Sequence, residues 1–135
     1  MRTAPLIVVG MLAFAMSAEP ESPPQKDRPA SRVVHIDDVS ARQQAGGRSY
    51  EEFQSVPAMS LGLYALPAGT ADNQKPHDRD EVYYVLEGNA TFFADGERQP
   101  VRPGSVIYVR RKVEHRFEEI TKDLRVLVVF AAERD

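Results

Sequence analysis

Residues 81–109 read EVYYVLEGNATFFADGERQPVRPGSVIYV, and this stretch carries the clearest structural pattern in the chain. Short runs of β-branched and aromatic residues, which favour β-strands, lie at 81–86, 90–93 and 105–109. Turn dipeptides separate these runs: Glu87-Gly88, Asp95-Gly96 and Pro103-Gly104. Because glycine tolerates positive φ, Asp95-Gly96 predicts a β-hairpin. The stretch is therefore expected to form short strands joined by tight turns.

The same pattern extends to both sides of this stretch. Further short apolar runs lie at 33–36, 59–65, 113–117 and 124–130. No long segment shows a sustained apolar period of about 3.6 residues. Residues 40–44 and 49–54 are accordingly expected to form helical turns at most. The pattern predicts an all-β fold, either a sandwich or a closed barrel.

The N-terminal segment is expected to lie outside the folded domain. Arg2 precedes an apolar run at residues 4–16, and small residues at Ala15 and Ser17 fit a signal-peptide cleavage site. Residues 1–17 are therefore predicted to be a secretory signal peptide; cleavage after Ala18, an N-terminal anchor and a buried strand are the alternatives. Residues 18–31, rich in proline and polar residues, predict a disordered linker. The domain then spans residues 32–135, and the mature protein is expected to be secreted or periplasmic, with no transmembrane anchor.

Composition excludes several classes of protein. The chain has 135 residues, which is enough for one domain, and Asp plus Glu outnumber Lys plus Arg by 20 to 17. The net charge of −3 argues against a nucleic-acid partner. Because the chain has no cysteine, disulfides, zinc–thiolate sites and thiol nucleophiles are excluded.

Histidines and one glutamate are the candidates for metal chemistry. Side chains alternate along a strand, so Glu81 shares a face with Tyr83, and burying its carboxylate costs several kcal/mol unless it is paired or bound to a metal. His77 lies four residues before Glu81, and His115 lies on a face that is otherwise apolar. Two histidines and a carboxylate suit a divalent metal with open coordination positions. Taken singly, each histidine is more often a structural or surface residue, which is the interpretation for His35.

Two stretches resemble the motifs of the cupin superfamily. The first motif is a glycine, a His-x-His pair, a glutamate and, after six further residues, a second glycine. Residues 69–88 are similar to it, with His77, Glu81 and Gly88 at matching positions. The second motif, a Pro-Gly turn followed by strands that carry a histidine, is similar to residues 96–115. The resemblance implies a small single-domain cupin jelly-roll β-barrel, also called a double-stranded β-helix.

The resemblance also implies a metal centre. His77, Glu81 and His115 would hold one divalent ion, and their nitrogen and oxygen ligands suit Zn, Mn, Fe, Ni or Cu. The chain departs from the family pattern at Lys75, which replaces the first histidine of the pair, and at Arg110, Lys112 and Glu119. Lys75 either holds an anionic substrate or reaches solvent, and the basic run at 110–112 is either a solvated loop or a rim that guides anions.

Two functions follow from this resemblance. The first is an exported small cupin that binds one divalent metal and a small anionic ligand in its barrel. The second is a metal-dependent enzyme of the dioxygenase, isomerase or decarboxylase/lyase type, acting on a small acid or aromatic substrate. Lys75, Tyr83 and Tyr64 are the candidates for the substrate pocket. Cupins often pair through their sheets, so a homodimer is compatible with the resemblance.

Overall fold

The structure is a computed structural model that describes residues 29–132. Its elements are α1 Ile36–Gly46, β1 Tyr50–Val56, β2 Met59–Leu66, β3 Glu81–Ala94, β4 Glu97–Val101, β5 Val106–Val109 and β6 His115–Ala131. The strands pair antiparallel in the order β1-β2-β6-β3-β4, with β5 on β3, so the all-β prediction is confirmed. The predicted signal peptide and most of the predicted linker lie outside the described residues. Within residues 29–132, no helix is long and apolar enough to cross a membrane.

Strands β3 and β6 are longer than the sequence predicts. The runs predicted at 81–86 and 90–93 form one strand, which stays paired with β6 through register shifts between Val85 and Thr91. Gly88 lies in this irregular stretch with a φ of 95°, and a Cβ there would collide with the carbonyl oxygen of Asp123 on β6. The glycine therefore lies at an irregularity within a continuous strand instead of ending it. Two predicted runs are likewise joined in β6.

The strand predicted at 33–36 is wrong, because residues 33–35 form no regular element and helix α1 begins at Ile36. His35 caps α1, because its Nδ1 accepts a 3.3 Å hydrogen bond from the backbone N–H of Asp37. Acidic residues in the first turn, Asp37 and Asp38, suit the positive end of the helix dipole. Val39 is the only apolar residue that α1 buries, so the helix lacks an apolar stripe. Residues 49–54, predicted to form at most a helical turn, lie in β1 from Tyr50 onwards.

Alternation along β3 directs one face into the barrel. Glu81 and Tyr83 are 2% and 1% exposed, whereas Tyr84, which points to the opposite face of β3, is 42% exposed. Inward residues from β3 and β6 fill the core: Val85, Phe92, Phe117, Leu124, Val126 and Val128. The predicted hairpin at Asp95-Gly96 joins β3 to β4, and both of its residues have positive φ. The inward face of β3 thus begins with a buried carboxylate.

Candidate metal centre

Three side chains converge at one end of the barrel interior. Glu81 opens β3, His115 opens β6, and His77 lies in the loop that leads into β3. Glu81 Oε1 lies 2.9 Å from His77 Nδ1 and 2.7 Å from His115 Nε2. One possible ligand atom from each residue lies within 4.8 Å of the other two. Within residues 29–132, these three side chains form a cluster that could hold a metal ion. The structure therefore brings together the three residues that the sequence predicts as ligands.

The tautomer of His115 is determined by its backbone neighbour. His115 Nδ1 lies 2.8 Å from the carbonyl oxygen of Val113, so this nitrogen carries the proton and donates it. In a neutral imidazole, the lone pair of Nε2 then faces the Glu81 carboxylate. Two electron-rich atoms at 2.7 Å repel each other unless a proton or a metal ion lies between them. The Val113 carbonyl thus orients this ring as an outer-sphere partner orients a metal ligand.

The pKa values of the pair shift in the directions expected for a proton between them. Burial opposes the charged form of Glu81, but hydrogen bonds from His115 and His77 outweigh it and lower the pKa of this carboxyl. Burial also opposes the charged form of His115, but hydrogen bonds to Glu81 and to the Val113 carbonyl raise its pKa. In the metal-free protein, a proton on the imidazole side therefore compensates the carboxylate.

The second carboxylate oxygen of Glu81 tests whether a metal ion fits. Glu81 Oε2 is buried and has no hydrogen-bond partner among the described residues. An unpaired carboxylate oxygen in the protein interior is costly, and a cation is the usual compensation. Two imidazoles and one carboxylate are the donor types that divalent transition metals accept. The residues present therefore fit a divalent metal ion.

A chain of hydrogen bonds connects His115 to the loop before β3. The Tyr83 hydroxyl lies 3.0 Å from His115 Nε2 and donates to Gln74 Oε1 at 3.0 Å. Gln74 Nε2 in turn donates to the buried carboxylate of Asp72 at 2.7 Å. Asp72 also accepts from the Tyr64 hydroxyl at 2.6 Å and from the backbone N–H of Phe117 at 2.8 Å. This network anchors the loop before β3 to β2 and β6, and hence the position of His77.

The sequence did not point to Asp72 or Gln74. Both lie in an irregular polar loop, where no periodic pattern indicates which side chains turn inward. Burial, followed by the Asp72 carboxylate, raises the pKa of Tyr64, and burial together with Glu81 raises that of Tyr83. Both hydroxyls consequently stay protonated at neutral pH and act as donors.

A cavity of about 290 Å³ lies beside His77. Tyr64 and Tyr83, predicted for the substrate pocket, both line it. Lys75, the third predicted pocket residue, is exposed and is not among the lining residues. The cation that does line the cavity is Arg79, and the remaining walls are Tyr50, Gln74, Val128 and Phe130. The basic run at 110–112 is exposed and lies outside this lining.

The fold and the site define an antiparallel β-barrel with a candidate centre of two histidines and one carboxylate. The family model for the cupin domain matches residues 62–130, a range that includes all three candidate ligands. An uncharacterised protein of Streptomyces coelicolor is 46% identical over 100 residues, which cover 74% of this chain and 95% of that protein. The chain belongs to the cupin superfamily.

Solved structures share the double-stranded β-helix fold. KdgF from a Halomonas species superposes with a TM-score of 0.57 at 21% identity, covering 64% of this chain and 79% of that one. A predicted oxalate decarboxylase from Thermotoga maritima superposes with a TM-score of 0.55 at 24% identity, covering 62% of this chain and 78% of that one. These similarities establish the fold.

Proposed function

We propose that this chain binds one divalent metal ion through His77, Glu81 and His115 and accepts a small anionic ligand in the adjacent cavity. The observation that carries the proposal is the environment of Glu81. One carboxylate oxygen faces two imidazole nitrogens, and the other is buried with no partner among the described residues. When bound, the metal would supply Lewis acidity and open positions for a ligand.

The charge of the centre favours an anion. With both imidazoles neutral, Glu81 compensates only one of the two charges of a divalent ion. Arg79 adds a further positive charge to the cavity wall. A small anionic ligand would neutralise this excess, since uncompensated charge in a partly buried cavity is costly.

The first test is the metal content of the purified protein after equilibration with Zn²⁺ or Mn²⁺. We expect one metal ion per chain in the wild type and in His35→Asn. The latter removes an imidazole but keeps a good helix cap. His77→Ala and His115→Ala should each weaken binding by more than the roughly 10–100-fold that loss of an outer-sphere partner costs. A wild-type protein that takes up no metal, or metal uptake that survives both alanine variants, would contradict the proposal.

Metal-dependent catalysis is the second candidate function. The observation that favours it is the protonated Tyr83 hydroxyl, which lies beside both His115 and the cavity. To donate to a substrate, this hydroxyl would turn its single proton from Gln74 Oε1 towards the cavity, a role that suits dioxygenase, isomerase or decarboxylase/lyase chemistry on a small acid or aromatic substrate. Turnover of such substrates by the metal-loaded protein would favour the enzyme, and binding without product would favour the binding protein.

Export is part of the proposal and rests on the sequence of residues 1–17. We expect that the mature chain isolated from the periplasm or the medium begins at Ala18. N-terminal sequencing or intact mass measures this directly. Retention of residues 1–17 on a protein that stays in the cytoplasm would contradict export while leaving the metal proposal unaffected.

A further inference from the structure

Arg79 brings a positive charge into the wall of the cavity. It lies between His77 and Glu81 in the chain, and its guanidinium carbon is 4.6 Å from the centre of the Phe130 ring. Its Nη1 reaches Ser60 Oγ only at 3.5 Å, the outer limit of a hydrogen bond. Within residues 29–132, no carboxylate forms an ion pair with it. A guanidinium presents several N–H donors in a planar fork, so Arg79 can bind the carboxylate of a ligand by donating hydrogen bonds to it.

Tyr50 lines the same cavity. Its hydroxyl is buried and has no hydrogen-bond partner within the described part of the chain. Burial, reinforced by Glu52, raises the pKa of Tyr50 to about 12, so the hydroxyl stays neutral and can donate. The ring packs over Gly62, where a Cβ would overlap the hydroxyl. The absence of a side chain at Gly62 thus makes room for a hydroxyl that lacks a partner.

The size and charge of the cavity limit what it can hold. A volume of about 290 Å³, at about 30 Å³ for each water-sized group, accommodates about ten non-hydrogen atoms. A divalent ion, Glu81 and Arg79 together leave two positive charges if both imidazoles are neutral, and the buried Asp72 carboxylate behind Gln74 and Tyr64 offsets one of them. The remaining positive charge favours an anion, and the metal ion and Arg79 are two separate positions at which an acid group can bind.

We propose that Arg79 and Tyr50 form a subsite for the second acid group of a small dicarboxylate, whose first acid group lies at the metal centre. This inference rests on the proposed metal function. The carbon body of the ligand would pack on the apolar surfaces of Val128 and Phe130, which line the same cavity. Arg79 and Tyr50 thereby determine specificity, selecting diacids over monoacids of the same shape.

Succinate and succinamate provide a matched pair of probes. They have the same number of non-hydrogen atoms, but one acid group of succinate is a neutral amide in succinamate. Calorimetric titration of the zinc-loaded wild type should show tighter binding of succinate. Arg79→Gln should reduce this preference by about tenfold or more, because a charge-assisted pair is lost. Tyr50→Phe should reduce it less and keeps the inference testable if Arg79→Gln folds poorly.

Lys75→Gln is the matched control. It removes a positive charge from the same loop, but Lys75 is exposed and does not line the cavity. Its preference for succinate should equal that of the wild type. A wild type that binds zinc but does not prefer succinate, or an equal loss in Lys75→Gln and Arg79→Gln, would overturn the subsite alone. Failure of the wild type to bind zinc would overturn the proposed metal function instead.

Discussion

Replacing Gly88 with alanine is expected to lower the free energy of unfolding by roughly 2–5 kcal/mol, a large share of the total stability of a small domain. The left-handed backbone at Gly88, with a φ of 95°, costs a residue with a side chain about 1–2 kcal/mol. The new Cβ would also collide with the Asp123 carbonyl oxygen and lie 2.7 Å from Leu124 Cα. Both are backbone atoms of β6, which move only if the strands separate, and overpacking of this kind costs about 1–3 kcal/mol more.

Gly104→Ala separates these two contributions. Gly104 has a φ of 91°, close to that of Gly88, but a Cβ there would meet no atom within 4 Å. We therefore expect Gly104→Ala to lose only the conformational part, about 1–2 kcal/mol. Urea unfolding of both variants measures the difference. Equal losses would show that the Asp123 backbone on β6 lies too far from Gly88 to collide with a Cβ there.

The second large effect is expected from adding metal. At a free Zn²⁺ concentration 100 times the dissociation constant, binding to the folded state stabilises it by about 2.7 kcal/mol. For a domain of this size, the melting temperature should rise by roughly 10–20 °C. Glu81→Gln should remove most of this rise, because it takes away the negative charge that compensates the ion and leaves only a neutral amide oxygen as a ligand. Thermal unfolding with and without Zn²⁺ measures both quantities.

Glu87→Gln is the control for Glu81→Gln. Glu87 lies on the same strand, but it is exposed and pairs with Arg125 at 3.0 Å, away from the candidate centre. Its response to Zn²⁺ should match that of the wild type. A Glu81→Gln variant that Zn²⁺ stabilises as strongly as the wild type would place the metal elsewhere in the protein.

The inward face of β3 and its turns can be predicted from the sequence, because the signals are local. Alternation places Glu81 and Tyr83 on one face of a strand, and Asp95-Gly96 specifies a hairpin through its backbone preferences. The spacing of His77 from Glu81 also follows from the sequence, and the resemblance to cupins connects both residues to His115. All of these features follow from short-range sequence patterns or from the family motif. In the structure, the three side chains lie together as predicted.

Features that depend on tertiary contacts cannot be predicted in this way. Helix α1 buries Gln43 through hydrogen bonds to the carbonyls of Ser49 and Leu63, so polar contacts replace the apolar stripe that identifies a helix. Glu87-Gly88 is a turn dipeptide, but the pairing of Glu87 and Asn89 with β6 on either side keeps Gly88 within a strand. Arg79 lines the cavity and Lys75 does not, and this difference depends on how the loop before β3 folds. No local sequence pattern predicts the conformation of that loop.

The most direct test of the metal centre is a crystal structure of the protein grown with Zn²⁺, with anomalous diffraction data collected at the zinc absorption edge. We predict one anomalous peak in the barrel, at about 2.0–2.2 Å from a nitrogen of His77, a nitrogen of His115 and a carboxylate oxygen of Glu81. A barrel interior without such a peak, with the two imidazoles turned away from the carboxylate, would contradict the account.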